Sequence, residues 1–333
     1  MPTAPITRQP GAVWLGLLVL YVVWGSTYLA IAVAVETIPP FLMAATRFGL
    51  AGGVLLAWSI AREGRTFAWP SRREWRDSAI VGGLLLGGGM GFVAWGEQTI
   101  PSGIAALLIA TMPLWIAVLG RLFLGQRLPG VAALGIAVGF LGVAVLVGPT
   151  ALGTSGALDP AGLVVVLLSP LAWAIGSLYA SHRARLPGRP LVASAAQMLT
   201  GAVVLTVLAL ATGEPVRLDV GAISARSIGA FLYLAIIGSL LAFTVFGWMV
   251  RTAPLPLVTT YAYVNPIVAV ILGALLLQEP VDTRTVVAGA IIVVAVALIV
   301  TTRGRMAAPR GISPRPGPSE RPAAPAPSPS ASD

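Results

Sequence analysis

The sequence predicts an all-α integral membrane protein of ten transmembrane helices, arranged as an inverted repeat of five plus five. Three observations carry this. The first is composition: of 333 residues, 57% are hydrophobic and only 10% charged, with a mean hydropathy of +0.90, whereas a soluble domain carries about 25% charge. The second is a succession of apolar runs bounded by Arg, Pro and Gly from Ala12 to Thr302, each long enough to cross a hydrocarbon core as a helix. The third is an internal repeat. The stretch Thr259–Pro280 echoes Ala106–Arg127 at an offset of 153, and the same offset pairs Pro113 with Pro266, Gly120 with Gly273, Pro101 with Pro254 and Trp95 with Trp248. Earlier segments echo at nearly the same spacing, Trp24 with Trp173 and Pro40 with Pro190, which sets Arg47 opposite Gln197.

Taken in order, the first span is Ala12–Ala34, following an N-terminal segment of residues 1–11. It ends in an A-x-A-like Ala32-Val33-Ala34, but its apolar run exceeds the about 7–15 residues of a signal peptide core, so a retained helix is expected. Pro39–Ala61 is the second span, with Pro40 suited to a first helical turn. The basic loop Arg62–Arg76 leads to Asp77–Gly96, whose GGLLLGGGMG run lacks the preceding strand and GK[ST] of a phosphate loop and reads instead as small residues for close helix approach. Ser102–Leu122 and Gly130–Val147 complete the first unit, 12–148. The linker Gly148–Pro160 precedes the second unit, 160–302, with spans Ala161–Ala180, Leu191–Thr212, Ser227–Val250, Leu255–Gln278 and Thr285–Thr302. The tail 303–333 is rich in Arg, Pro, Ala and Ser and lacks the apolar content to fold.

Charge orients the spans. With both termini cytoplasmic, twelve arginines fall in inner loops and the N-terminal segment, three in outer loops, and five more in the tail, as the positive-inside bias requires. Five spans per unit is odd, so the second copy is inverted relative to the first, a plan found in many secondary transporters. The copies of one turn, Arg121–Pro129 and Gln278–Arg284, carry net charges of +2 and −1, as expected of loops on opposite faces.

The net charge of +9 is thus explained by loops, and nucleic acid is not an expected partner. Cysteine is absent and His182 is the only histidine, which removes thiolate and histidine metal sites. No Walker motif runs an ATP motor, Ser169, His182 and Asp159 are kept apart by sidedness, and no enzyme or cofactor site is expected. The absence of Lys hints at a GC-rich bacterial genome and so at a bacterial plasma membrane. The lipid bilayer and a small-molecule solute are the expected partners. Coupling to a proton or substrate gradient, and a homodimer, are left open.

Polar groups at membrane depth are costly and are the first candidates for a solute site. Arg47, about eight residues into its span, can serve as counter-charge to a carboxylate through its bidentate fork, or snorkel to the interface or bond backbone carbonyls of a neighbouring helix. Asn265 directly precedes Pro266, which frees a carbonyl and kinks the helix; its alternative is a bond to an adjacent helix. Thr111, two residues before the helix-breaking Pro113, is its counterpart. Trp24 and Trp173 lie mid-helix as candidate cavity walls, Trp95 and Trp248 as walls or interfacial anchors, with hydroxyls from Tyr28, Tyr179, Tyr261 and Tyr263. Glu97, at the outer end of the third span, reads as a solvated loop carboxylate, with proton coupling as the alternative.

WGSTYLAI near the start, the paired Pro113 and Asn265-Pro266 helices, and the repeat ends LFLGQRLPGVAALGIAVGFLGV and LLLQEPVDTRTVVAGAIIVVAVAL resemble the drug/metabolite transporter superfamily, specifically its bacterial EamA family with two EamA units. The resemblance covers about residues 12–302. It implies a central cavity lined mainly by helices one, three, four, six, eight and nine, alternating access, and movement of amino acids, other metabolites or drugs, often outward. The family often has an acidic residue after the fourth helix; here Gln126 stands in that place, while Glu279 keeps the carboxylate in the second copy. Two other readings share these features: a flippase for lipids or lipid-linked carriers, and a membrane scaffold that moves nothing.

Overall fold

The computed structural model describes residues 10–126, 129–151, 158–253, 255–258 and 260–307. Ten apolar helices emerge: α1 (Gly11–Ala34), α2 (Pro40–Thr66), α3 (Arg72–Gly96), α4 (Ser102–Leu124), α5 (Gly130–Val147), α6 (Pro160–His182), α7 (Pro190–Ala211), α8 (Ala225–Phe246), α9 (Tyr261–Leu276) and α10 (Thr283–Val300). Nine of these are, among the described residues, long and apolar enough to span a bilayer, and α9 is shorter. There is no strand among the described residues.

Helix pairing repeats across the two units. α2 packs along α7, α5 along α10 and α4 along α9, each against its own counterpart. α1 packs on α8 and α9, and α6 packs on α3 and α4. Exchanging the two units maps each of the first three pairs onto itself and the two contacts of α1 onto those of α6, as an inverted repeat demands.

The third and eighth helices, whose sequences echo each other least, share the least ordinary backbone. Gly83–Gly91 in α3 and Leu234–Leu241 in α8 are both π-helical, a wider winding that is rare and frequent at functional sites. The glycines of this part of α3 do bring helices close: a Cβ on Gly89 would stand 2.7 Å from the Trp173 ring.

Helix ends explain where the observed spans differ from expectation. α3 starts at Arg72, not Asp77, because Ser71 and Glu74 form a capping box, with Ser71 N–H donating to Glu74 Oε2 at 2.7 Å and Glu74 N–H to Ser71 Oγ at 3.3 Å. α6 is capped by Asp159, which accepts from Gly162 N–H at 2.6 Å. The ninth span is divided into a short turn, Leu255–Val258, and the helix Tyr261–Leu276. The last helix extends through Ala307, so residues 303–307 of the expected unstructured tail are helical; 308–333 lie outside the described residues, as do 152–157 of the linker.

At Pro113 a new helix opens, starting at Met112 after Ser102–Ile109 ends. Pro266 needs correction. It lies inside a helix that continues through it, since a single missing donor leaves the surrounding ladder able to close, and the interruption falls a turn and a half earlier, between Val258 and Tyr261.

Candidate functional site

Arg47 is the sharpest feature of the interior. It is 3% exposed, and its Nε donates to Ser239 Oγ of α8 at 2.9 Å. It therefore neither snorkels nor pairs with a carboxylate among the described residues. A Cβ on Gly238 would meet its guanidinium at 3.4 Å and Thr27 of α1 at 3.1 Å, so the charge sits where α1, α2 and the π-helical turns of α8 converge. Arginine at the centre of a span costs about 2.5–3.5 kcal/mol on insertion scales. Among the described residues it has a hydrogen bond to a neutral hydroxyl, worth about 1 kcal/mol, and the Phe48 ring, whose centroid lies 4.8 Å from its guanidinium carbon.

The other expected residues divide into groups. Trp24 is half-buried in an aromatic cluster with Phe243, Phe246 and Tyr261, at centroid distances of 5.7, 5.2 and 4.9 Å. Tyr28 lies one turn further along α1, packed on the cluster that holds Val93, Ala94 and Leu234. These two and Arg47 share the seam between α1 and α8. Asn265 is 7% exposed, and its Oδ1 is buried without a hydrogen-bond partner among the described residues. Its backbone carbonyl lies against Gly25 of α1.

The remainder do not join them. Thr111 is buried and turns back on its own helix, donating to Leu108 carbonyl at 2.6 Å. Trp173 lies between α6 and α3. Trp95 packs into the apolar cluster of Phe41, Leu86 and Leu205, and Tyr263 into that of α4, α5 and α10. Trp248 rests against Gly16 and lines a cleft.

That cleft, of about 750 Å³, opens on the side of the Arg-rich loops. Trp58 and Arg62 of α2, Leu191 and Ser194 of α7, and Phe243, Thr244 and Trp248 border it. Leu240 and Phe243 of α8 pack on the cluster formed by α2, α3 and α7, but among the described residues no part of α8 makes extensive contact with α7 itself. At the opposite face the equivalent place is filled: Phe92 and Trp95 of α3 pack with Phe41 and Leu205. The cleft is thus one-sided. Phe243, Ser239 and Trp58 were not marked out by sequence. Ser239 lies in the part of the repeat that echoes least.

A family model described as the EamA-like transporter family matches residues 10–148 and again 160–301. The chain belongs to the EamA-like transporter family. Its two EamA units coincide with the two sets of five helices. It is 38% identical over 289 residues to an uncharacterized inner membrane transporter, YedA, of Escherichia coli (strain K12), covering 85% of this chain and 89% of that protein. It is 26% identical to a chloroplastic WAT1-related protein of Arabidopsis thaliana (86% and 69% covered) and 25% identical to the uncharacterized transporter YvbV of Bacillus subtilis (86% and 90%). A solved crystal structure aligns with 90% of this EamA chain and all of its own at a TM-score of 0.59 and 21% identity, a likeness of fold.

Proposed function

We propose that this EamA protein is a secondary transporter in a bacterial inner membrane, moving a small metabolite or drug with an anionic group, outward, by alternating access between its two units. The supporting observation is the one-sided cleft: one face parts α8 from α7 while the packing related to it by the repeat is closed. Exchanging the conformations of the two units would close the first face and open the second, which is how inverted repeats alternate. On this reading both termini are cytoplasmic, and the open face is the cytoplasmic one. Arg47 supplies the charge for the solute, and Trp24 and Tyr28 its wall.

A thermal-shift screen of the purified protein against amino acids, sugars, nucleosides and drugs tests this, because a ligand that binds the folded state raises its stability by mass action. The expected result is stabilisation by a carboxylate-bearing class that disappears in Arg47→Gln. Stabilisation by no class, or one indifferent to Arg47, would sink the reading.

A further inference from the structure

Glu97 follows α3 by one residue at the face opposite the cleft. Sequence suggested a solvated loop carboxylate; the structure buries it to 6% exposure and leaves both carboxylate oxygens without a hydrogen-bond partner among the described residues. The reason is the turn that carries it. Glu97, Thr99 and Ile100 all donate back into the end of α3, at 2.9, 3.0 and 2.8 Å, which folds the chain tightly and turns the side chain inward.

No side chain around it bonds it among the described residues. From α1 come Tyr28 and the backbone of Ala32, the latter favouring its ionised form. From the connection between α9 and α10 comes Glu279, whose oxygens are committed to the N–H groups of Ser102 and Gly103 at 2.7 and 3.1 Å. Ser102 Oγ is itself buried and without a hydrogen-bond partner among the described residues. Asp159, at the start of α6, is engaged by Thr99 and Gly162. Tyr233 of α8 bonds Ser26, and Arg226 pairs with Glu36 at the rim. No arginine pairs with Glu97 among the described residues.

An ionised carboxylate buried without a partner is costly enough that the group neutralises instead. We propose that Glu97 is a proton-binding site that links protonation to closure of this face: one proton passes from water to a carboxylate oxygen when the face closes, and returns to water when it opens. Its use in coupling rests on the transporter reading; the site itself does not. Burial, and after it the negative charge of Glu279, pushes the Glu97 carboxyl well above the ordinary carboxylate range. Closure is thereby favoured by acid and opening by base.

Infrared spectroscopy of the purified full-length protein through a pH titration tests the site. A protonated carboxyl band that persists above the ordinary carboxylate range and vanishes in Glu97→Gln is expected. Should that variant not fold, Glu97→Asp must shift the band while keeping its titration. A companion measurement uses the cysteine-free background. Ser102→Cys, buried beside Glu279, should react with a thiol reagent severalfold faster at about pH 9 than at about pH 6, relative to an exposed cysteine. In Glu97→Gln the ratio should be flat. A missing band, a band that survives Glu97→Gln, or labelling indifferent to pH would each overturn the proposal. None of these readouts uses a solute, so their failure leaves the transporter reading standing, and a failed ligand screen leaves Glu97 standing.

Discussion

Glu214 reaches from the end of α7 to the start of α2, where its Oε2 accepts the backbone N–H of Leu42 at 2.8 Å, while its Oε1 accepts that of Phe41 at 3.2 Å. In the inverted arrangement the matching place at the end of α2 is held by Glu63, which pairs with Arg189 at the start of α7. The two carboxylates do the same topological work on opposite faces. Glu214 is 1% exposed and caps a helix, whereas Glu63 and Arg189 keep about a third of their side-chain surface in solvent beside the cleft.

Their removal should therefore cost unequal amounts. Glu214→Ala strips a buried cap and is expected to lower stability by about 1–2 kcal/mol. Glu63→Ala breaks a half-exposed ion pair and is expected to cost about 0–1 kcal/mol. Thermal denaturation in detergent ranks them, and an equal loss would contradict the view that only one face is closed.

A glycine pair offers a sharper contrast. Gly82 of α3 faces α7, where a Cβ would run into the Gln197 carbonyl and stand 3.0 Å from the Gly201 nitrogen. Backbone cannot rotate aside as a side chain can, so Gly82→Ala should cost about 1–3 kcal/mol. Gly53 of α2 has nothing among the described residues within 4 Å of its would-be Cβ. Gly53→Ala should be neutral or gain about 0.5–1 kcal/mol from the stiffer helix. The same melting assay reads both.

Absence of cysteine from the chain makes access directly measurable. Thr244 is exposed in the cleft and Val93, near the matching place of α3, is 1% exposed. A thiol at Thr244→Cys should react readily with an impermeant reagent supplied from the Arg-rich side, and one at Val93→Cys slowly from either side. A solute that drives the other conformation should reverse the order. Equal reactivity at the two positions would remove the one-sided opening.

Stability should also carry the signature of Glu97. Its carboxyl is raised in the folded protein and ordinary in the unfolded chain, so its contribution is complete below the ordinary value of about 4.3. As pH rises from there toward the folded value, the unfolded chain releases its proton while the folded one keeps it, and stability falls by about 1.4 kcal/mol per pH unit. Glu97→Gln should flatten this decline, gaining on the parent as pH is raised from about 5 to 8. Parallel pH profiles for the two proteins would show that Glu97 is not held neutral.

The fold was legible in sequence because a bilayer admits few solutions: every span had to be a helix, and gapless pairs such as Pro113 with Pro266 exposed the repeat. The site was legible only in part. Arg47 and Asn265 were visible because a polar residue inside an apolar run is conspicuous wherever it points. Ser239 was not, since one serine in a helix is ordinary until the π-helical turn and the arginine are seen together. Glu97 was misjudged because its neighbours in sequence, Gln98 and Thr99, are polar, while its neighbours in space are Tyr28 and Glu279.

The self-paired helices carry a consequence for ancestry. α2 lies on α7, α5 on α10 and α4 on α9, so each of these contacts joins a helix to its own copy. Before the two copies were fused, the same contacts would have joined identical chains, and only chains inserted in opposite directions could have made them. A single five-helix unit of that kind would need no fixed topology in the membrane. Fusion, and the arginine-rich loops that now stand on one face, would then be what froze two interchangeable orientations into one.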